Sequence, residues 1–198
     1  MDDPDLIERI RHWVASNDHA PGDAATATTL QIAEAELGFP LPDLLARLYC
    51  EVGDGHYGPG GGLMPIADGA DETVIGEYNA LMGRRSDSGF IWPYGVIPLL
   101  AWGSGMYAAL DCVTDGNPVR LFEPNGLTET DDWSAAWYTD SKDLDSWLES
   151  WMSDDAWFSE HADPDRVHEP EPWGDAAARL GDRKPLRDIT PAADTADD

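Results

Sequence analysis

The segment that most constrains this chain runs from Ile32 to Gly55, IAEAELGFPLPDLLARLYCEVGDG, and reads as helix, stop, helix, glycine-rich exit. Gly38 follows Leu37 where a left-handed residue would end a helix that contains Ile32, Ala33 and Glu36. Pro42 fits the first turn of a second helix, because its missing N–H has no intrahelical partner there. Leu44, Leu45, Leu48, Tyr49 and Val52 then repeat at helical spacing and predict one buried face. Gly53, Gly55 and the run Gly58, Gly60, Gly61, Gly62 release the chain toward a short strand at Leu63–Ile66, whose Pro65 places it at an edge or a terminus.

Around this segment the pattern is that of an α+β domain. A first helix opens at Asp3-Pro4-Asp5, carries Leu6, Ile7, Ile10, Trp13 and Val14 on one face and ends near Ser16. Thr28 or Thr29 caps the helix that leads to Leu37, and Glu72–Met82 reads as a further helix stopped by Gly83. From Tyr94 onward the pattern becomes extended. Val96–Trp102, Met106–Val113 and Val119–Phe122 are apolar runs divided by Gly103-Ser104-Gly105 and Asp115-Gly116-Asn117, which predict antiparallel hairpins. Trp137 and Tyr138 offer a fourth short strand, and Ser141 a cap for a last helix bearing Leu144, Trp147, Leu148, Trp151 and Met152. The expectation is a single domain over 1–158, its helices on one side of a mixed or antiparallel sheet of roughly four to six strands.

Beyond Phe158 the chain is rich in Pro, Ala and acidic residues and poor in large apolar ones. Such composition buries too little area to offset backbone ordering, so 159–198 is expected to be a mostly disordered tail. A short helix over Gly174–Leu180, and a tail that wraps the domain through Trp173 and Leu186, are the alternatives.

Charge narrows the function. The formal net charge is -27, with 39 acidic and 12 basic residues among 198. Most of it lies ahead of the tail: residues 1–153 hold 26 Asp and Glu against 7 Lys and Arg. A surface of this sign repels nucleic acid and anionic membrane, so any macromolecular partner is expected to be basic. The acidity equally serves solubility. Cys50 and Cys112 sit in apolar segments without paired spacing and read as buried thiols of a cytoplasmic protein.

Chemical motifs fail their own tests. The five histidines have no helical His-x-x-x-His pair, so no metal is expected. Ser104 has glycines directly beside it, whereas a nucleophile elbow needs them two positions away. The glycine run lacks the Lys-Ser or Lys-Thr of a phosphate loop. No catalytic residue and no cofactor are expected. Aromatics without a core address, ringed by acids, are the candidate partner contacts: His56 and Tyr57 in the glycine loop, Glu129, Asp131, Asp132 and Trp133 before the last helix, and Tyr94 and Trp102 at strand ends.

Leu37-Gly38, Leu41-Pro42, the apolar helix from Leu44 to Val52 and its Gly53 and Gly55 exit resemble the N-terminal half of the SUKH superfamily, also called the Smi/Knr family. Pro98 to Asp111, with its Gly-x-Gly turn and closing Leu110-Asp111, is similar to that family's central hairpin. The resemblance covers roughly residues 3 to 153. It implies a binding role: an immunity protein that neutralises a toxin domain, commonly a nuclease, or a regulatory scaffold with several weak partners. It implies nothing about oligomeric state.

Overall fold

Apolar residues three and four positions apart put Leu6, Ile7, Ile10 and Val14 on one buried stripe of α1 (Pro4–Ser16). The structure, a computed structural model, describes residues 4–17, 19–66, 72–84, 90–128, 132–159, 165 and 167–181. α2 (Ala27–Leu37) begins one turn earlier than the threonines at 28 and 29 imply: Thr26 is the N-cap, its hydroxyl accepting from the Thr29 amide at 3.1 Å. It stops as expected at Gly38, which has φ 80° and donates its amide to the Glu34 carbonyl at 2.9 Å.

The second helix of the central segment is not one regular helix. α3 (Asp43–Arg47) runs into a π turn over Leu48–Val52, closed by the Gly53 amide on the Leu48 carbonyl at 3.2 Å. Pro42 is the cap residue ahead of α3 rather than its first helical residue. Tyr49 is fully buried here and donates its hydroxyl to the Met64 carbonyl at 2.9 Å. The Leu63–Ile66 strand expected from the sequence does not form. These residues lie buried along the sheet edge and make one strand-like bond, Met64 amide to Leu99 carbonyl at 2.8 Å. α4 (Val74–Gly83) follows, capped by Thr73, whose hydroxyl accepts from the Gly76 amide.

The sheet has five strands among the described residues, all antiparallel, in the order β1-β2-β3-β4-β5. β1 (Val96–Gly103), β2 (Met106–Asp111), β3 (Val119–Phe122) and β4 (Trp137–Ser141) follow the two hairpins and the fourth strand read from sequence. The first turn needs left-handed backbone, and Gly103, Ser104 and Gly105 all supply it. The register is irregular around Pro98, which lacks the amide a regular ladder would use. α5 (Leu144–Met152) packs against β4 and α1, and its cap is Asp143, whose carboxylate accepts from the Ser146 amide at 2.8 Å, rather than Ser141.

Part of the segment read as tail folds onto the domain. β5 (Glu171–Pro172) pairs with Tyr138 and Thr139 of β4, Trp173 is 7% exposed, and α6 (Ala176–Gly181) buries Ala176 and Leu180. One Trp with two apolar helix residues supplies the area that average composition conceals. The alternative contact at Leu186 lies outside the described residues. Six residues are too few for a free-standing helix, so α6 depends on what it touches.

Candidate functional site

Of the eight residues singled out from sequence, the six that are described fall into three places. The first is the glycine loop. It is tied by the His56 amide on the Leu63 carbonyl at 2.8 Å and the Leu63 amide on the Tyr57 carbonyl at 2.7 Å. His56 adopts φ 63° and points to solvent, whereas Tyr57 turns inward and is fully buried. Tyr57 therefore packs in the core rather than on the surface: burial, then the nearby Asp54 charge, push its phenol far up, and its hydroxyl has no hydrogen-bond partner among the described residues.

The loop rests on Trp102, for a Cβ at Gly60 would lie 3.1 Å from the Trp102 ring. Trp102 is half-buried and packs against Phe158, with ring centroids 4.8 Å apart, and Trp157 at 5.6 Å. Below them Asp140, 7% exposed, accepts from the Trp147 indole at 3.0 Å and the Trp157 indole at 2.8 Å. The result is a partly exposed corner of three aromatic rings edged by Gly60. Trp157 and Phe158 were missed in sequence because they stand where the composition changes and looked like the end of the domain.

The second place is the turn before β4. Asp132 is the N-cap of a 3-10 turn over Trp133–Ala136, its carboxylate accepting from the Ser134 amide at 2.6 Å. The bonds from Ser134, side chain and backbone, hold this carboxyl below its ordinary range. Trp133 is half-buried and meets Phe90 edge to face at 5.0 Å. Glu129 and Asp131 lie outside the described residues. The third place is Tyr94, whose ring packs edge-on against Phe39 at 5.4 Å beside the end of α2.

A fourth constellation has no counterpart in the sequence reading. Asp111 is fully buried at the end of β2 and receives two arginines. Arg120 of β3 approaches one oxygen at 3.5 Å. Arg179 of α6 reaches both oxygens, at 3.0 and 3.1 Å, and also donates to the Thr114 hydroxyl at 2.8 Å and the Tyr94 carbonyl at 3.0 Å. Desolvation lowers the Arg120 pKa while Asp111 opposes that shift. Trp173 covers the pair from the β5 side.

Burial pushes both thiols up, Cys112 most, so neither is a ready nucleophile at neutral pH. Among the described residues no group of three or more His, Cys, Asp or Glu is placed to hold a metal ion. An open groove of about 760 Å³ runs between α1 and α5 past Glu8, His12, Trp13 and Met152, crossed by the Arg9–Glu149 ion pair at 2.7 Å. No helix among the described residues is long and apolar enough to cross a membrane. What the surface offers is aromatic contact area and acid.

The chain is an α+β domain with an antiparallel open sheet and a helix–stop–helix entry. More particularly, residues 24–150 match the SMI1 / KNR4 family (SUKH-1), well over half of the chain, and the chain belongs to that family. No curated protein matches it. The match ends in α5, ahead of the segment that supplies Trp173 and Arg179.

Proposed function

We propose that this chain is a non-catalytic, cytoplasmic immunity protein that binds and neutralises a basic toxin domain, a nuclease being the class its charge suits best. The observation that carries this reading is membership of the SMI1 / KNR4 family together with a net charge of -27. A nuclease must hold phosphates on a positive face, and a strongly acidic domain is steered to that face and competes for it. The contact surface we assign is the corner formed by Trp102, Trp157 and Phe158 together with the exposed His56 of the glycine loop, and Asp132 and Trp133 as a second patch; by sequence position we add the acids Glu129 and Asp131 to the candidates. Tyr94 contributes at the margin. Aromatic anchors inside a charged rim are the usual composition of binding hot spots.

The test is co-expression with the toxin-like products encoded beside the gene, scored by growth rescue and recovery of a stable one-to-one complex. Rescue should weaken on Trp102→Ala and on Asp132→Asn, the second of which keeps an oxygen to accept from Ser134 while removing the charge. Absence of rescue and of any complex would overturn the immunity reading and move the weight to a regulatory scaffold.

A further inference from the structure

Arg179 shows what the end of β2 can recognise. Its guanidinium lies in a pocket made of both Asp111 oxygens, the Thr114 hydroxyl and the Tyr94 carbonyl, four acceptors within 2.8 to 3.1 Å. All four belong to the body of the domain, while Arg179 belongs to a six-residue helix at the end of the segment that follows α5. A planar fork with several donors fits this set, and a point charge such as an ammonium cannot satisfy it at once. The Asp111 side chain is fully buried, yet the Arg179 side chain keeps 21% of its exposure, so the pocket opens to solvent on one side. Val113 beside it is exposed.

We infer that Asp111, Thr114 and the Tyr94 carbonyl form a guanidinium-binding site, filled within the chain by Arg179, that an arginine of a basic protein partner occupies when α6 lifts away. The first half stands on the seated guanidinium alone. The second half rests on the functional reading above, and adds to it the side chain the partner presents. Charge supports that occupant: the chain carries -27, so the proteins it attracts are rich in Arg and Lys, and the pocket selects the first of these. Lifting α6 takes from Asp111 its two short guanidinium bonds and leaves the Thr114 hydroxyl at 2.8 Å, the Val113 amide at 3.4 Å and Arg120 at 3.5 Å, so the buried carboxylate loses its nearest cation, which favours refilling by another guanidinium.

The experiment uses the full chain carrying Arg179→Ala, with Arg179→Gln as a milder variant should the first not fold. Thermal unfolding is followed in methylguanidinium and, at equal ionic strength, in methylammonium. The expected result is a lowered Tm that millimolar methylguanidinium restores and methylammonium does not, with the restoration lost when Thr114→Val or Asp111→Asn is added. Equal response to both cations would overturn the site. For the occupant in trans, a short fluorescent peptide with three arginines should bind the Arg179→Ala chain at least about tenfold tighter than its lysine counterpart, and the intact chain should keep the same preference in weaker form because Arg179 competes. No arginine preference would overturn the partner half while leaving the co-expression result untouched.

Discussion

The guanidinium of Arg120 lies 4.2 Å above the ring of Trp173, so a residue from the segment behind α5 closes over a buried cation of the central strand β3. The same indole meets Trp137 at 5.8 Å, and its backbone amide donates to the Trp137 carbonyl at 2.9 Å. Trp173 is thus the point at which β5 and α6 are fixed to the sheet.

Replacing it with Ala should cost about 3–5 kcal/mol, as truncation of a buried Trp does, with a cation–π share of about 0.5–2 kcal/mol inside that figure. Urea unfolding measures the total. Limited proteolysis should find new cleavage between 167 and 181 while 24–150 stays protected. A cost below about 1 kcal/mol would mean that the segment is not held through this side chain.

Asp140 gives the chain a pH response of unusual sign. Burial, opposed by hydrogen bonds from Trp147 and Trp157, pushes its carboxyl above the ordinary 3.8. Between 3.8 and the raised value the folded chain binds a proton that the unfolded chain does not, so falling pH adds stability through that window. Measured against Asp140→Asn, wild type should therefore gain stability as pH falls through the raised value and gain no more once pH is below the ordinary 3.8. At neutral pH Asp140→Asn should cost about 1–3 kcal/mol, because its amide N–H₂ meets one of two indole donors head-on. Urea titrations of both proteins across this range test both statements.

The glycine loop separates close approach from mere composition. A Cβ at Gly55 would stand 2.6 Å from the Pro65 nitrogen and 2.7 Å from the Leu63 oxygen at φ 73°, whereas one at Gly61 meets nothing within 4 Å. Gly55→Ala should destabilise by at least about 1–3 kcal/mol, and Gly61→Ala should stay within about 0.5 kcal/mol of wild type. Thermal melts decide. Equal effects would show that the loop is not packed as described.

How much of this was legible follows from how local each signal is. Gly38, the two hairpin turns and the spacing of Leu44, Leu45 and Leu48 act within a few residues, and the elements they encode are where the sequence puts them. The π turn at Leu48–Val52 was hidden, because the apolar spacing there fits a regular helix equally well, and the Tyr49 bond to the Met64 carbonyl made from this turn joins separate elements. In the candidate site, His56 and Trp102 were readable as aromatics beside glycines. That Tyr57 faces the core was not, since the loop has no periodicity to say which neighbour turns inward. Asp111 and Arg179 stand 68 positions apart, and no short-range pattern links them.

Association with a basic partner should be limited by salt. The screening length shrinks from about 10 Å at 0.1 M to about 3 Å at 1 M, so the association rate should fall by about tenfold or more over that range while dissociation changes little. Stopped-flow mixing with whichever basic partner the co-expression recovers reads both rates. An association rate indifferent to salt would remove charge from the recognition mechanism.

The order in which the chain is made gives the Asp111–Arg179 contact a further meaning. Synthesis proceeds from the N-terminus, and α1 to α5 with β1 to β4 are complete once Met152 has emerged from the ribosome. At that moment the carboxylate of Asp111 has the Thr114 hydroxyl, the Val113 amide and the long contact from Arg120 but lacks its closest cation, and the Trp137 backbone carbonyl still awaits the Trp173 amide. Completion of the polar centre is deferred to the passage of Trp173 and Arg179, so the nascent domain closes from its last residues inward. A chain that stalls before Arg179 carries every strand of its hairpins and yet displays an unfinished centre, the kind of exposed defect by which quality-control proteases and chaperones tell an unfinished product from a finished one.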